Sequence, residues 1–403
     1  MHPMRVLTDE DMSAYVDLVI SAFLSTDSAE DIGARMRIVL ADSRQVGVFD
    51  DDRLVGAMSV GERRLTLPEG TAVPFAAVTY VVVAADQRRR GVLTGMMRAQ
   101  LAEIHDAGGP AVAALWASEA GIYQRFGFGP ATSQIEYAIT AKTAFRPGID
   151  LGADRVRELP AEQALPHVRA LYDEYAAQRA GALSRDDAIW QDWLHDPEAM
   201  RRGQSRLRWA VHPRGYALFR AKPRYNDRGA AGEITVEELT ALTPQAHAAL
   251  LRYALDMDLA GEISLSAGMD DPLPLMLADA RAAVGKVQDG LYIRLVDVDR
   301  ALAQRRYSAP VDVVIEVTDD LCPWNAGRVR LAVDDQGVPT VTRTGDPADL
   351  AASSTELGAA YLGGTRLTRL ADAGRVVERS PGAVSALSTA LSADREPRCL
   401  EVF

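Results

Sequence analysis

The sequence predicts an α+β chain of several units, in which mixed sheets are flanked by helices. Three observations lead there. At 403 residues the chain is too long for one small core, and ordinary domain sizes predict two or three units. Over residues 76–95 an apolar run with β-branched Val78, Val81, Val82 and Val83 breaks into Arg88-Arg89-Arg90-Gly91 before a helical pattern starts, which reads as strand, polar junction and helix. After Arg146-Pro147-Gly148 the order of elements found in the first part is repeated. The units read as residues 1–150, 151–289 and 290–403.

In chain order, Thr8 with Asp11 is a cap signal for a helix on which Val16, Val19, Ile20 and Phe23 share one face. Residues 46–49 and 54–60 flank Asp50-Asp51-Asp52-Arg53 as a hairpin with a polar turn, and Pro68-Glu69-Gly70 turns the chain again. The central valine run reads as a strand buried on both faces. Beyond it Leu93, Met97, Leu101 and Ile104 recur at helical spacing, so residues 88–94 join strand to helix. A second apolar strand follows at 111–116, and a strand pair near 131–138 closes the first unit.

The second unit reads as helices from Ala161 and Ser184, a hairpin around His212-Pro213-Arg214-Gly215, a strand near 233–239 and a helix from Thr243. Ser184 with Asp187, and Thr243 before Pro244, are cap signals. Residues 272–277 and a helical patch to Val284 lead into the third unit. It opens with a strand at 291–296 and a helix at 298–306, and continues with strands at 311–317, 328–333 and 338–342. Asp335-Gln336-Gly337 is a hairpin turn, and helices start from Asp349 and Gly382.

Composition narrows the function. With 48% hydrophobic and 25% charged residues the chain is of the soluble globular class. Residues 1–10 carry acids where a secretory leader needs basic residues, and no apolar run is long enough to span a bilayer, so a cytoplasmic location is expected. Cys322 and Cys399 are too few for a disulfide framework and lack metal-ligand spacing; buried thiols and no metal are expected. The net charge of −12 argues against nucleic acid, because no basic face recurs outside the arginine loop. It suits a cationic substrate better.

The 88–94 junction is built to hold an anion. First-turn N–H groups lack helical partners, the helix dipole adds partial positive charge, Gly91 admits close approach, and the arginines add full charges. Buried strand, R/Q-x-x-G-x loop, amphipathic helix and second strand together resemble the GCN5-related N-acetyltransferase fold, whose loop holds the pyrophosphate of acetyl-CoA. Residues 116–132, WASEAGIYQRFGFGPAT, resemble the ASEGGIYxRFGYGPAT segment of the Eis (enhanced intracellular survival) acetyltransferases. Two departures stand out: Leu93 where many acetyltransferases have Gly or Ala, as is usual within Eis-type proteins, and Ala120 in place of a glycine. The resemblance implies tandem acetyltransferase domains, the second a non-catalytic copy, and a C-terminal sterol-carrier-protein-like α+β domain. It also implies acetyl-CoA as co-substrate, small-molecule amine acceptors including aminoglycosides at more than one position, and a homohexamer.

Acetyl transfer from a thioester to an amine needs a neutral nucleophile, a polarised carbonyl and a proton for the departing thiolate. By the resemblance, Tyr123 is the acid, and its phenol is able to protonate the CoA sulfur. The competing reading is a buried aromatic with a satisfied hydroxyl. None of His2, His105, His167, His195, His212 and His247 lies in a motif that places it beside Tyr123. The ending Arg398-Cys399-Leu400-Glu401-Val402-Phe403 resembles the Glu-x-Phe terminus of Eis proteins, in which the last α-carboxylate is the general base. On a strand, Cys399, Glu401 and Phe403 would share one face. A carboxylate near its usual value of about 3.5 is a poor base for an ammonium, so burial, the Glu401 charge or a relaying water has to help. Alternatively Phe403 only anchors the tail by burial.

By motif position, Val81, Val82 and Val83 offer backbone hydrogen bonds to the pantetheine arm, as an added strand would. Arg89, Arg90, Gly91, Val92, Leu93 and Thr94 grip the pyrophosphate, and Ser118 and Glu119 make further acetyl-CoA contacts. Asp27 and Glu401 are candidates for the amine pocket, Asp27 equally for a solvated loop. The second unit's junction at 239–244 has neither arginine nor glycine, so that copy is expected not to bind CoA. Two other functions stay open: acetylation of protein or peptide lysines or α-amines, and acyl-CoA or lipid binding. For the third unit, a lipid tunnel competes with a filled scaffold core.

Overall fold

The computed structural model describes residues 3–227 and 229–403, so His2 lies outside the described residues. β1 (Met4–Val6) leads through the Thr8–Asp11 capping box into α1 (Met12–Phe23). α1 buries Tyr15, Val16, Leu18 and Val19, but Leu24 at φ 54° ends it, and Phe23, expected on the buried face, is 46% exposed. α2 (Ala29–Val39) starts from Ser28, whose hydroxyl accepts from the Asp31 N–H. The expected hairpin is β2 (Arg44–Asp50) and β3 (Arg53–Thr66), followed by β4 (Ala72–Val83) and α3 (Val92–Asp106). β5 (Val112–Trp116), α4 (Ala120–Tyr123) and β6 (Gly129–Pro130) come next. β5 and the first half of β4 are buried on both faces, whereas in the valine run read as doubly buried Val78 and Val82 are buried and Val81 and Val83 only half-buried. Phe75, Ala77, Val112 and Ala114 enter one apolar layer, while Ala76, Val78, Ala113 and Leu115 enter the other.

Here the chain leaves its first sheet. β7 (Ser133–Thr140) was expected to close the first unit, yet it lies in a second sheet. That sheet also takes β8 (Arg157–Leu159), β9 (Arg208–His212) and β10 (Gly215–Lys222). The two-residue strands β11 (Tyr225–Asn226) and β12 (Gly229–Ala230) pair only with each other. β13 (Gly232–Ala241), β14 (Ala260–Gly268) and β15 (Ala283–Asp289) complete the second sheet, in the order β15-β7-β14-β13-β10-β9-β8. Its helices are α5 (Ala161–Ala176), α7 (Pro244–Leu255) and α8 (Leu273–Met276), whereas most of the intervening α6 (Asp187–Leu194) belongs with the first sheet. β7 belongs there because Tyr137 and Ile139 join the apolar cluster of Phe219, Val236 and Leu265.

β16 (Leu291–Leu295), expected to open the third unit, returns to the first sheet, whose order is β1-β2-β3-β4-β5-β16-β6. All five of its residues are buried, as a strand enclosed between β5 and β6 requires. α9 (Val298–Gln304) then precedes a five-stranded sheet of β17 (Val311–Thr318), β18 (Gly327–Val333), β19 (Pro339–Arg343), β20 (Leu350–Ser353) and β21 (Val377–Glu378). α10 (Ser354–Ala360), α11 (Leu367–Asp372) and α12 (Ala383–Leu391) complete it. The helix expected from Asp349 starts instead at Ser354. The Asp349 carboxylate accepts from the Val314 N–H at 2.8 Å and the Ser380 hydroxyl at 2.6 Å, which pins the preceding residues into β20.

The chain thus forms two compact units, one of residues up to 132 with 180–192 and 290–403, the other of 133–179 with 193–289. In the first, segment 180–192 runs beside the end of β3. The Gly181 N–H donates to the Thr66 carbonyl at 2.8 Å, Thr66 N–H to Ala182 at 2.9 Å, and Ser184 N–H to Arg64 at 2.8 Å. Ser184, read as a cap, instead accepts from the Arg64 N–H at 3.1 Å, and Asp186 caps the Ile189 N–H at 2.9 Å. α10 lies flush on the β16/β6 edge. There a Cβ at Gly129 or Gly358 would fall closer than 3.0 Å to backbone atoms of Thr355 and Ile293 respectively. Fully buried Arg294 of β16 is paired with both Asp319 oxygens, at 2.9 and 2.7 Å, and Asp319 also accepts from Asn325 and from the Cys322 N–H. Deleting one partner of such a pair costs about 3–5 kcal/mol. Among the described residues no helix is long and apolar enough to cross a membrane.

Candidate active site

β4 and β5 pair in parallel only at Ala76–Ala113 and Ala77–Ala114. Beyond these, β4 continues to Val83 against β3 alone, and β5 continues to Trp116 against β16, so one edge of β4 is left open. A bulge opposite Met58 puts Tyr80 at φ 48°. The Tyr15 hydroxyl, buried in the core, donates to the Tyr80 carbonyl at 2.9 Å and meets the Ser59 hydroxyl at 2.9 Å. Burial keeps the Tyr15 phenol well above its ordinary pKa, so this donor holds the bulge at all working pH. Past the bulge the Ala84 N–H donates to the Val55 carbonyl at 2.9 Å. Backbone groups alternate along a strand, so Val82 also faces β3, while Val81 and Val83 turn their N–H and C=O groups to the open edge. Two of the three valines, not all three, are therefore free to extend the sheet.

The loop after β4 ends at Gly91, the α3 N-cap, with φ 85°. The first bond inside the helix runs from the Gly95 N–H to the Gly91 carbonyl at 2.8 Å, leaving the N–H groups of Val92, Leu93 and Thr94 ahead of it. Apart from the adjoining backbone, no atom lies within 4 Å of a Cβ built on Gly91 or Gly95, so there is open space beside this first turn. Arg88, Arg89 and Arg90 are exposed around it. The Arg90 guanidinium meets Gln87 Oε1 at 3.3 Å, and Gln87 donates to Asp50 at 3.0 Å, which fixes one wall of the loop. α3 can sit this close to β3 because a side chain at Gly56 would come within 2.7 Å of Val92. Three unspent N–H groups, a helix dipole and a ring of guanidinium groups fit a diphosphate.

Tyr123 closes α4, just after β5. Its ring is 6% exposed and lies edge-on to Phe128, with centroids 6.2 Å apart. The hydroxyl has no hydrogen-bond partner among the described residues, unlike that of a structural tyrosine. Burial, reinforced by the Glu119 charge, pushes the phenol up to about 12. Ser118 and Glu119 are exposed in the link from β5 to α4. His105, the one described histidine of this unit, is held by Asp297 at 2.5 Å and stacks on Trp324.

The tail folds back onto this unit without forming a strand, yet keeps the expected alternation: Cys399 and Glu401 are buried, Val402 is 67% exposed, and Phe403 is half-buried. The Phe403 ring lies 6.0 Å from that of Phe75 in β4, with the Arg63 guanidinium 5.6 Å over its face. Tyr123 and Phe403 pack into the layers on opposite faces of the sheet, flanking the strands that part. The Glu401 carboxylate is held by two arginines. Oε1 is paired with Arg63, and Oε2 with Arg185 Nε at 2.9 Å. Burial alone would raise its carboxyl, but the two guanidinium groups outweigh burial and hold it below its ordinary value. Asp27 is half-buried between α1 and α2, where its N–H and carboxylate both meet the Ser25 hydroxyl at 3.1 Å. Nearby Arg35 makes a bidentate pair with Asp192, at 2.9 and 3.0 Å. Sequence reasoning missed Tyr15, Arg63 and Arg185, which carry no local motif.

The second unit repeats the plan without the anion site. β13 and β14 pair in parallel only from Gly232 to Val236 on β13, and β13 carries a bulge opposite Leu218 and Phe219. At the start of α7, however, the Thr243 hydroxyl accepts the Ala246 N–H at 3.2 Å and Pro244 has no N–H, so two of the three first-turn donors are spent or absent. Calorimetric titration is expected to give one acetyl-CoA per chain; two would overturn this.

Residues 3–131 and 181–295 each match a family described as an acetyltransferase (GNAT) domain, and residues 298–400 match a sterol carrier protein domain. An uncharacterized N-acetyltransferase of Streptomyces avermitilis is 40% identical over 402 residues, covering 98% of this chain and 97% of its own. N-acetyltransferase Eis of Mycobacterium tuberculosis is 34% identical over 402 residues, covering 96% of both. The crystal structure of Eis1 from Mycobacterium abscessus superposes over 100% of both chains with a TM-score of 0.86 at 33% identity.

Proposed function

Because the chain belongs to the Eis family of GCN5-related N-acetyltransferases, and is an N-acetyltransferase on that ground, we propose that it moves acetyl from acetyl-CoA to small-molecule amines, aminoglycosides among them at more than one position. One observation carries the reading. In a single unit, an open β4 edge, an unspent helix N-terminus ringed by arginines and a protonated phenol without a protein partner occur together. When bound, acetyl-CoA supplies the activated thioester. Val81 and Val83 align its pantetheine arm as an added strand, and the N–H groups of Val92, Leu93 and Thr94 take the diphosphate with Arg89 and Arg90. Ser118 and Glu119, exposed in the link from β5 to α4, add further contacts to acetyl-CoA. Tyr123 holds the proton that the departing sulfur needs.

On the other face, the Phe403 carboxylate takes the proton from the attacking amine, directly or through a water. Support comes from the tail, which packs against Phe75 of β4 instead of running out into solvent. Asp27, half-buried at the α1–α2 loop, is the acid that remains for a cationic acceptor once Glu401 is paired. The net charge of −12 favours polycationic amines on encounter. The same reading takes the protein as a cytoplasmic homohexamer. The test follows free thiol release with acetyl-CoA and either an aminoglycoside or a lysine peptide, with mass spectrometry of the product. Multiply acetylated aminoglycoside is expected. Turnover of peptide alone, or no thiol release, would overturn the reading.

A further inference from the structure

We infer that Arg63, Glu401 and Arg185 form a buried clamp that positions the Phe403 carboxylate, an inference resting on the reading above of that carboxylate as the base. The three residues come from β3, from the tail and from segment 180–192, and they meet with side chains 11%, 7% and 0% exposed respectively. Each Glu401 oxygen has its own guanidinium. The arginines are themselves fixed: Arg63 donates to the Ser184 carbonyl and lies over the Phe403 ring, and Arg185 lies 5.0 Å over the Trp190 ring.

Segment 180–192 grips the tail again upstream. The Arg398 N–H donates to the Ala180 carbonyl at 2.8 Å, and Gly181, at φ 88°, leaves just enough room for the Arg398 backbone, which a Cβ there would approach to 3.1 Å. The tail is therefore held at 398 by backbone, at 401 by charge and at 403 by its ring. Val402, the intervening residue, is free in solvent.

A buried ion pair adds little net stability, because desolvation offsets the attraction; its best-supported use is to fix register. Here the register it fixes is that of a chain end, which would otherwise fray. Two guanidinium groups against one carboxylate also leave a net positive charge. Arg63, Glu401 and Arg185 are thus positioning residues that need not touch the amine.

The test compares full-length Glu401→Gln, Arg185→Gln and the charge-keeping Glu401→Asp and Arg185→Lys with a variant carrying a few residues appended after Phe403. Loss of the clamp is expected to lower kcat by about 10²-fold, the usual effect of misplacing a group by 1 Å. The KM and calorimetric affinity for acetyl-CoA should stay unchanged, and Arg185→Lys should recover part of the rate. Should the Gln variants not fold, Glu401→Asp, which keeps the charge but shortens the reach, carries the expectation of a lowered kcat. Wild-type kcat in folded Glu401→Gln or Glu401→Asp, or an equal loss of acetyl-CoA binding, overturns the clamp. The appended variant separates the two claims. If it turns over normally, the base reading falls and takes the clamp with it. If it is dead while the Glu401 variants are unimpaired, only the clamp falls.

Discussion

Tyr123→Phe lowers kcat by about 10²–10⁴-fold, the range for losing a general acid, while acetyl-CoA binds as before. The substitution is clean because the ring keeps its enclosure against Phe128 and the hydroxyl gives up no hydrogen bond to the protein. Stability should therefore stay within about 0.5 kcal/mol of the parent, so a lost rate reports chemistry and not unfolding. A phenol at about 12 carries its proton across the working range. It is also a weaker acid than free tyrosine. A CoA thiolate leaving beside Tyr123 would have its own affinity for a proton raised by the same burial, which would narrow the mismatch. The sign for pH follows. The protonated form is the active one and is lost only as pH rises through about 12, so kcat should show no alkaline decline from this group up to pH ~10. Single-turnover thiol release and a thermal melt check both parts. A rate within a few-fold of the parent would remove the phenol from the mechanism.

Gly358→Ala costs more than about 4 kcal/mol, enough to lose the fold in a marginal background, and Gly129→Ala does the same. The added carbon would meet backbone, not a movable side chain: the Ile293 carbonyl in one case, and the Thr355 carbonyl and Ala359 nitrogen in the other. Relief requires α10 to lift off β16 and β6, exposing Ile293, Leu357 and Ala360, all of them now buried. Gly345→Ala is the control, because nothing lies within 4 Å of its Cβ position. Thermal melts should show a large drop for the first two and almost none for the control. Equal melting temperatures for all three would show that the contact is not tight.

What the sequence made legible was what local chemistry encodes. A β-branched run, an arginine-glycine junction and a helical repeat sufficed for β4, its loop and α3, because each signal sits within one or two turns of its effect. The alternation of the tail was legible for the same reason. Sheet membership was not. Residues 133–140 and 291–295 each look like strands, but nothing in a strand's own pattern says which partner it will find, and each pairs in a sheet other than the one its position suggests. Ser184 misled as a cap and Asp349 as a helix start because their side chains found distant backbone instead. The backbone groups of Val82 turned toward β3 because of a bulge that no spacing rule reveals. Glu401 was visible as an acid in the tail, but its partner Arg185 lies 216 positions away.

The placement of β16 between β5 and β6 also constrains how the polypeptide can be made. Proteins are commonly thought to settle unit by unit as they emerge from the ribosome, amino end first. That route is closed to this one. The first β-layer cannot knit shut until residue 295 has been synthesised, so the early half of the nascent chain waits with a strand-wide gap in its interior. Any fragment that stops short of that point is a poor candidate for independent expression, however tidy its boundaries look on paper.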